Sequence, residues 1–249
     1  MKSTKLGKAR LDLLLVERGL AASRERAQAL LLAGNVKVDG TVQTKAGMQV
    51  PTDARIEIVG GDLRYASRGG LKLEGALEDF AIDARGKICL DVGSSNGGFT
   101  DCLLQHGAQR VYAVDVTIAQ LDWKLRHDPR VVMIERNARY LRPEDIGEPV
   151  ELIAVDVSFI SVTKILPAIT RLAAANAEFL ILIKPQFELE KREVGKGGIV
   201  REAALHQKAI QRVTSAAGEA GLKIIGVHPS RITGAEGNRE FFLHAKRAD

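Results

Sequence analysis

Cysteine is scarce, two residues in 249, and Cys89 and Cys102 both fall inside segments that read as regular structure. A disulfide framework is therefore excluded, each thiol reads as a small buried hydrophobe, and a reducing compartment is expected. The five histidines, at 106, 127, 206, 228 and 244, show neither HExxH nor paired-cysteine spacing, so no metal is expected. No run reaches the roughly 18 apolar residues of a membrane-spanning helix. Charge interrupts LDLLLVERG too early for a signal peptide. A soluble, cytoplasmic protein with no membrane partner is expected. Repeats and low-complexity segments are also missing. What remains is an ordinary folding composition, 45% hydrophobic and 27% charged, at a length that suits one small domain joined to a larger one.

Excess charge is confined to one end. Residues 1–50 hold nine Lys/Arg against four Asp/Glu, whereas the rest of the chain balances at 27 against 27. A positive N-terminal module fits a polyanion partner, although a solvated helix face would carry the same surplus. Within it, Leu11, Leu14, Leu15 and Val16 make the apolar face of a short helix ended by Gly19, and Ser23 caps a second helix running to Ala33 and closed by Gly34. NVKVDG and TVQTKAG meet at Asp39-Gly40, a hairpin signal, and ARIEIV supplies a third strand. The pattern predicts a small α+β domain over 1–60, then a linker over 61–70, marked by the Gly60-Gly61 pair at the boundary and Gly70 at its end.

Over 71–249 the pattern becomes α/β. KICLDV, RVYAVDV, RVVMIE, ELIAVDVSFI and FLILIKP alternate with helical stretches and predict five parallel strands. LKIIGVHPS and NREFFLHAK are separated only by a glycine-rich loop, so they predict an antiparallel C-terminal hairpin. Such a sheet is that of the methyltransferase class of Rossmann-like folds. DVGSSNGGFTDCLLQHGA sets a glycine-rich turn between the first strand and a helix, where open α/β sheets bind ligands. A dinucleotide fingerprint would need glycine where Ser95 stands. The actual spacing, Gly93, Gly97 and Gly98, together with Asp115 ending the second strand, suits S-adenosyl-L-methionine, whose ribose hydroxyls would donate to Asp115.

Several long motifs in one order now point to a family. They are RLDLLLVERGLAASRERAQALLLAGNVKVDG, SRGGLKLEGAL, DVGSSNGGFTDCLLQHGA, AVDVSFIS, LIKPQFE, VGKGGIVR and ITGAEGNREFFLH. The chain resembles the TlyA/hemolysin A family, which joins an RNA-binding domain of the ribosomal-protein S-four type to an FtsJ-like 2′-O-methyltransferase domain. The resemblance implies a Lys-Asp-Lys-Glu catalytic tetrad at Lys72, Asp156, Lys184 and Glu240. It implies cofactor contacts from Asp91, Gly93, Ser94, Gly97, Gly98, Phe99, Asp115, Val116, Asn137 and Asp156. RNA contacts are expected from Arg10, Arg18, Arg24, Arg26 and Lys37, with Arg68 in SRGG. VDVTIAQLDW and IERNAR depart from the family's usual VDVGYGQL and threonine-asparagine patterns, so the adenosine pocket around Val116, Thr117 and Asn137 is expected to differ in detail.

The activity implied is S-adenosylmethionine-dependent 2′-O-methylation of cytidine in ribosomal RNA, with ribosomal RNA or subunits as partner. Lys184 would contact the 2′-oxygen as base or as cation, Asp156 would orient it, and Lys72 and Glu240 would position the ribose. Two other readings compete: a non-catalytic rRNA-binding assembly factor, against which the complete tetrad argues, and a membrane-active hemolysin, for which no amphipathic or spanning segment is visible.

Overall fold

The computed structural model describes residues 7–21, 23–32, 34–59, 64–234 and 237–247. The chain divides into two compact units, residues 1–68 and 69–249.

In the first unit, helix α1 (Leu11–Glu17) ends where Gly19 takes a positive φ, a glycine stop. Helix α2 (Arg24–Leu32) starts from Ser23, whose Oγ accepts from the Arg26 N–H at 3.2 Å; the expected last residue, Ala33, lies outside the described residues. Strands β2 (Val36–Val38) and β3 (Thr41–Gln43) pair through the Asp39-Gly40 turn, both residues at positive φ, and β5 (Ile56–Ile58) joins β2 on its other side. A second small ladder, β1 (Lys8–Arg10) with β4 (Gln49–Pro51), is too short to show alternation in the sequence. Leu11, Leu15, Leu31 and Val36 form the fully buried centre. The carboxylate of Asp12 is buried with them, accepting from Arg10 at 2.9 and 3.0 Å, Arg24 at 2.9 Å and Gln28 at 3.2 Å.

The second unit is a seven-stranded sheet. Its strands are β6 (Ile88–Val92), β7 (Arg110–Asp115), β8 (Val131–Glu135), β9 (Val150–Val155), β10 (Ala173–Ile183), β11 (Leu222–Pro229) and β12 (Phe241–Arg247), in the spatial order β11-β12-β10-β9-β6-β7-β8. β6 to β10 run parallel and β12 runs antiparallel between β10 and β11, as the apolar runs and the glycine-rich loop predict. The central strands β6 and β9 and the second half of β10 (residues 179–183) bury nearly every side chain, which a parallel sheet covered on both faces requires. The longer helices are α3 (Gly69–Asp79), α4 (Gly98–Gln105) and α9 (Ala203–Glu219); single turns α5 (Trp123–Arg126), α6 (Pro143–Ile146), α7 (Leu166–Ile169) and α8 (Pro185–Glu188) complete the set.

One expectation is corrected here. Gly69 and Gly70, assigned to the linker over 61–70, open α3 instead; the first helical N–H groups need no intrahelical acceptor, so glycines are tolerated at that end. Residues 60–63 of the linker lie outside the described residues.

Candidate active site

Strand direction brings the reactive groups to one edge. The parallel strands all end there: Gly93 follows β6, Asp115 ends β7, Asp156 follows β9 and Lys184 follows β10. The antiparallel β12 begins at the same edge, and because Ile183 pairs with Phe241, continuing that register sets Lys184 opposite Glu240. Lys184 stands 2.5 Å from Asp156 Oδ1 and donates to Ser158 Oγ at 2.9 Å. The contact with Asp156 is a charge pairing rather than a directed hydrogen bond, since Asp156 Oδ1 has no hydrogen-bond partner, so beyond Ser158 the ammonium keeps donors for a further acceptor. Lys72, on the first turn of α3, donates to Glu240 Oε2 at 2.5 Å, and both side chains are almost fully covered. The four tetrad positions thus form two ion pairs on neighbouring elements of one edge. Burial gives such pairs geometric definition at a desolvation cost.

The glycine-rich turn is fixed by the same edge. Gly93 and Ser94 both donate to the Val114 carbonyl, at 2.8 and 3.0 Å, and Gly97 donates to Ser94 at 2.7 Å. Gly93 adopts φ +89°, and a Cβ there would overlap the Asp156 carbonyl, whose carbon would lie 2.9 Å away. Gly93 is therefore what lets the glycine-rich turn touch the end of β9. Gly97, at φ +91°, lies against Leu121 and Leu125, so these two leucines anchor the segment that departs from VDVGYGQL. Asp115 accepts from Ser95 N–H at 2.9 Å and Thr117 N–H at 3.1 Å through separate oxygens, which holds its carboxylate at the rim.

Asp91 lies beneath this turn, fully buried. Its Oδ2 accepts from Thr100 Oγ1 at 2.6 Å, while Oδ1 has no partner. Burial pushes its pKa up to about 7, with the nearby Asp156 and Asp115 charges adding to the rise. The remaining expected cofactor residues divide. Ser94 and Gly98 are buried in the turn and the start of α4, and Val116 is exposed beyond Asp115. Asn137 is exposed after β8 and spends its side-chain oxygen on the Arg139 N–H at 3.0 Å. The ring of Phe99 is buried and stacks on Phe242 of β12 with centroids 6.1 Å apart, which leaves its backbone in the first turn of α4 as the part nearest the glycine-rich turn.

Phe159 was invisible to motif reading as anything but part of AVDVSF. It is 92% exposed, holds φ +64°, and tilts against Phe187 of α8 at 5.3 Å. Positive φ in a bulky residue is a strained exception. The loop that carries it is pinned at both ends, by the Asp156–Lys184 pair and by buried Glu188, which accepts from Ser161 Oγ at 2.5 Å and Val162 N–H at 2.8 Å.

The residues expected to touch RNA are only partly free to do so. Arg10 and Arg24 are engaged with Asp12, and Arg18 donates to the carbonyls of Ala54 at 2.7 Å and Thr52 at 2.5 Å. Arg10 and Arg24 serve the buried Asp12, whose charge demands cationic partners, while their side chains stay 39% and 49% exposed. Arg26 and Lys37 sit on α2 and β2, and Arg68 is half-buried at the end of the first unit. Among the described residues no cluster of His, Cys, Asp and Glu could hold a metal ion, and no helix is long and apolar enough to cross a membrane.

Comparison with known proteins supports both units. The model of the FtsJ-like methyltransferase family matches residues 65–247, and that of the S4 domain matches residues 9–56. The chain is 46% identical over 238 residues to the 16S/23S rRNA (cytidine-2′-O)-methyltransferase TlyA of Mycobacterium tuberculosis, covering 95% of this chain and 89% of that one. It is 45% identical over 238 residues to Hemolysin A of Brachyspira hyodysenteriae, covering 94% and 98%. A solved structure described as a hemolysin from Streptococcus thermophilus superposes with a TM-score of 0.77 at 41% identity, covering 98% and 90%. With the tetrad positions paired at one sheet edge and an S4 match ahead of them, the chain belongs to the FtsJ-like methyltransferases, in the TlyA/hemolysin A family.

Proposed function

We propose that this protein transfers a methyl group from S-adenosylmethionine to the 2′-hydroxyl of a cytidine in ribosomal RNA, acting in the cytoplasm where that RNA is assembled. The observation that carries the reading is the Lys184–Asp156 contact at 2.5 Å beside a second buried pair, Lys72–Glu240, because transfer to a hydroxyl needs a group that manages its proton. The residues present suit the methyl donor: Asp91 Oδ1 is a buried acceptor without a partner, Asp115 presents carboxylate lone pairs at the rim, and Gly93 leaves no side chain between them. When bound, S-adenosylmethionine supplies a methyl group on a positively charged sulfur, activated for in-line displacement.

The chain's own residues do the rest. Lys184 faces the 2′-oxygen in one of two roles: as a neutral amine its lone pair takes the hydroxyl proton and it becomes the ammonium, or as an ammonium an N–H stabilises the alkoxide while the proton passes to water. Asp156 and Ser158 fix the direction of the Lys184 side chain, and Lys72 and Glu240 bound the ribose from the neighbouring strand. Fixing oxygen and methyl in line is the largest contribution. Phe159 offers an exposed ring three residues from Asp156, suited to stacking a base of the substrate. The S4 unit adds affinity for RNA backbone, with Arg10, Arg18, Arg24, Arg26 and Lys37 as its candidate phosphate contacts.

The test is mass spectrometry of nuclease fragments of ribosomal RNA from cells with and without the gene. A 14-dalton loss confined to a cytidine-containing fragment when the gene is missing is expected, and purified protein should restore it. An unchanged fragment map would overturn the proposal in favour of an assembly factor that binds without catalysis.

A further inference from the structure

VGKGGIVR, residues 194–201, is one of the chain's most distinctive segments, and the chemistry above leaves it without a task. Its backbone is costly to build. Gly197 and Gly198 both take φ +76° with open space around them, and a Cβ on Gly195 would lie 2.7 Å from the Ile199 carbonyl oxygen. Lys196 is exposed between these glycines. The segment is nonetheless held firmly. Asn238, 2% exposed, accepts from the Val200 N–H at 2.9 Å and donates to the Gly198 carbonyl at 2.8 Å. His206 of α9 shares a hydrogen bond with the Val200 carbonyl at 2.9 Å.

Asn238 also stands two residues before Glu240, a span of at most about 7 Å of extended chain. Its carbonyl accepts from the Gly234 N–H at 2.9 Å, and a Cβ on Gly234 would lie 2.5 Å from Glu240 Oε1. One buried residue therefore holds the glycine segment through its side-chain amide and the approach to Glu240 through its backbone carbonyl. On either side lie exposed Lys191 and Arg201, with Glu202 beside the latter, whereas Glu190 is matched with Arg192 at 2.8 Å and Glu193 with Lys208 at 2.6 Å. The loop thus presents side-chain-free backbone and a lysine to whatever reaches the edge beside Lys184.

We propose that residues 195–200 form a phosphate-gripping loop for the substrate RNA chain next to the target nucleotide, and that Asn238 is the positioning residue coupling this grip to Glu240. The inference rests on the methylation reading and adds a second RNA contact, on the catalytic unit. Glycines with open positive-φ backbone admit a phosphate closely, and a lysine at that place adds a phosphate charge contact.

The experiment measures binding of deproteinised 16S and 23S rRNA to the full chain, saturated with S-adenosylhomocysteine, as a function of salt. Steady-state methylation is measured in parallel. Lys196→Ala should weaken RNA binding about fivefold and reduce the salt slope by about 1, raising KM for RNA while kcat and S-adenosylhomocysteine affinity stay at parent values. Lys223→Ala, the same charge change at the opposite edge of the sheet, should do neither. Asn238→Ala should raise KM for RNA and also lower kcat, and Asn238→Asp, which keeps the acceptor for Val200, should recover part of both. Parent-like RNA affinity and salt slope in Lys196→Ala, or an equal loss in Lys223→Ala, would overturn the proposal. Because binding is read without turnover, a parent protein that binds but never methylates would refute the methylation reading and leave this comparison interpretable.

Discussion

Replacing Gly93 by alanine tests whether the cofactor turn and the catalytic strand end are one mechanical unit. Two costs are separable. Alanine at φ +89° pays about 1–2 kcal/mol of left-handed strain. Its Cβ also meets the Asp156 carbonyl, with the carbon at 2.9 Å where a relaxed carbon contact needs about 3.5 Å or more, so turn and strand end must part by roughly 1 Å. Neither partner is a flexible side-chain tip. A total of about 3 kcal/mol corresponds to a fall in Tm of roughly 6–12 °C for a domain of this size. A misplacement of about 1 Å at the reacting groups corresponds to about a hundredfold in turnover. The controls grade the effect. Gly86→Ala pays the strain alone, since nothing lies within 4 Å of its Cβ at φ +73°; Gly97→Ala adds only the ends of Leu121 and Leu125, which can rotate away. Single-turnover transfer of a tritiated methyl group, with thermal melts by circular dichroism, should rank Gly86→Ala mildest, Gly97→Ala intermediate and Gly93→Ala nearly inactive. Gly93→Ala turning over within about threefold of the parent, or Gly86→Ala equally inactive, would refute the coupling.

Four further outcomes follow from the same geometry. Lys184→Ala should lower kcat by about a hundredfold or more while RNA and S-adenosylhomocysteine binding by calorimetry hold; substantial activity in Lys184→Arg would assign charge stabilisation rather than proton abstraction. Asp91, at about 7 in the fold, keeps its proton between the ordinary carboxylate range and neutrality, so stability should fall as pH rises through that window. The cofactor's amine should bind more tightly as Asp91 ionises, and Asp91→Asn should flatten both profiles. Asp12 behaves oppositely: hydrogen bonds from Arg10 and Arg24 hold its carboxyl well below the ordinary range. Its contribution is therefore present above about pH 4 and lost as pH falls further, which hydrogen exchange over residues 7–59 of the full chain should show, with Asp12→Ala already unprotected at neutral pH. Cys89, pushed up to about 12 by burial, should resist iodoacetamide in the native protein, and labelling at the rate of a free thiol would contradict its burial.

Much of the catalytic edge is legible because strand chemistry is local. Asp156 and Lys184 each stand directly after an apolar strand, and parallel strands end together, so the two carry their location in the sequence. Glu240 becomes legible once β12 is known to run the other way. Lys72 does not: a lone lysine on a helix turn carries no sign that its partner lies 168 residues away, and only the family resemblance marked it. Charge counting in the first unit gives the net surplus but not how each arginine is held: the buried carboxylate and the carbonyls that Arg10, Arg18 and Arg24 engage are set by tertiary packing. Phe159 and Asn238 escaped because exposure and two-point hydrogen bonding are properties of the folded loop, not of residue type.

The placement of β12 between β10 and β11 also sets an order of assembly. β11 precedes β12 in the chain and among the described residues pairs with no other strand, so it joins the sheet only through β12, in the step that brings β12 beside β10. The same entry delivers Glu240 to Lys72. A partly folded molecule lacking only this insertion would keep the cofactor turn, leave two strand edges unpaired and have no ribose-bounding pair. Catalytic competence should accordingly arise in a single late step of folding, and refolding followed by methyl transfer should lag refolding followed by cofactor binding.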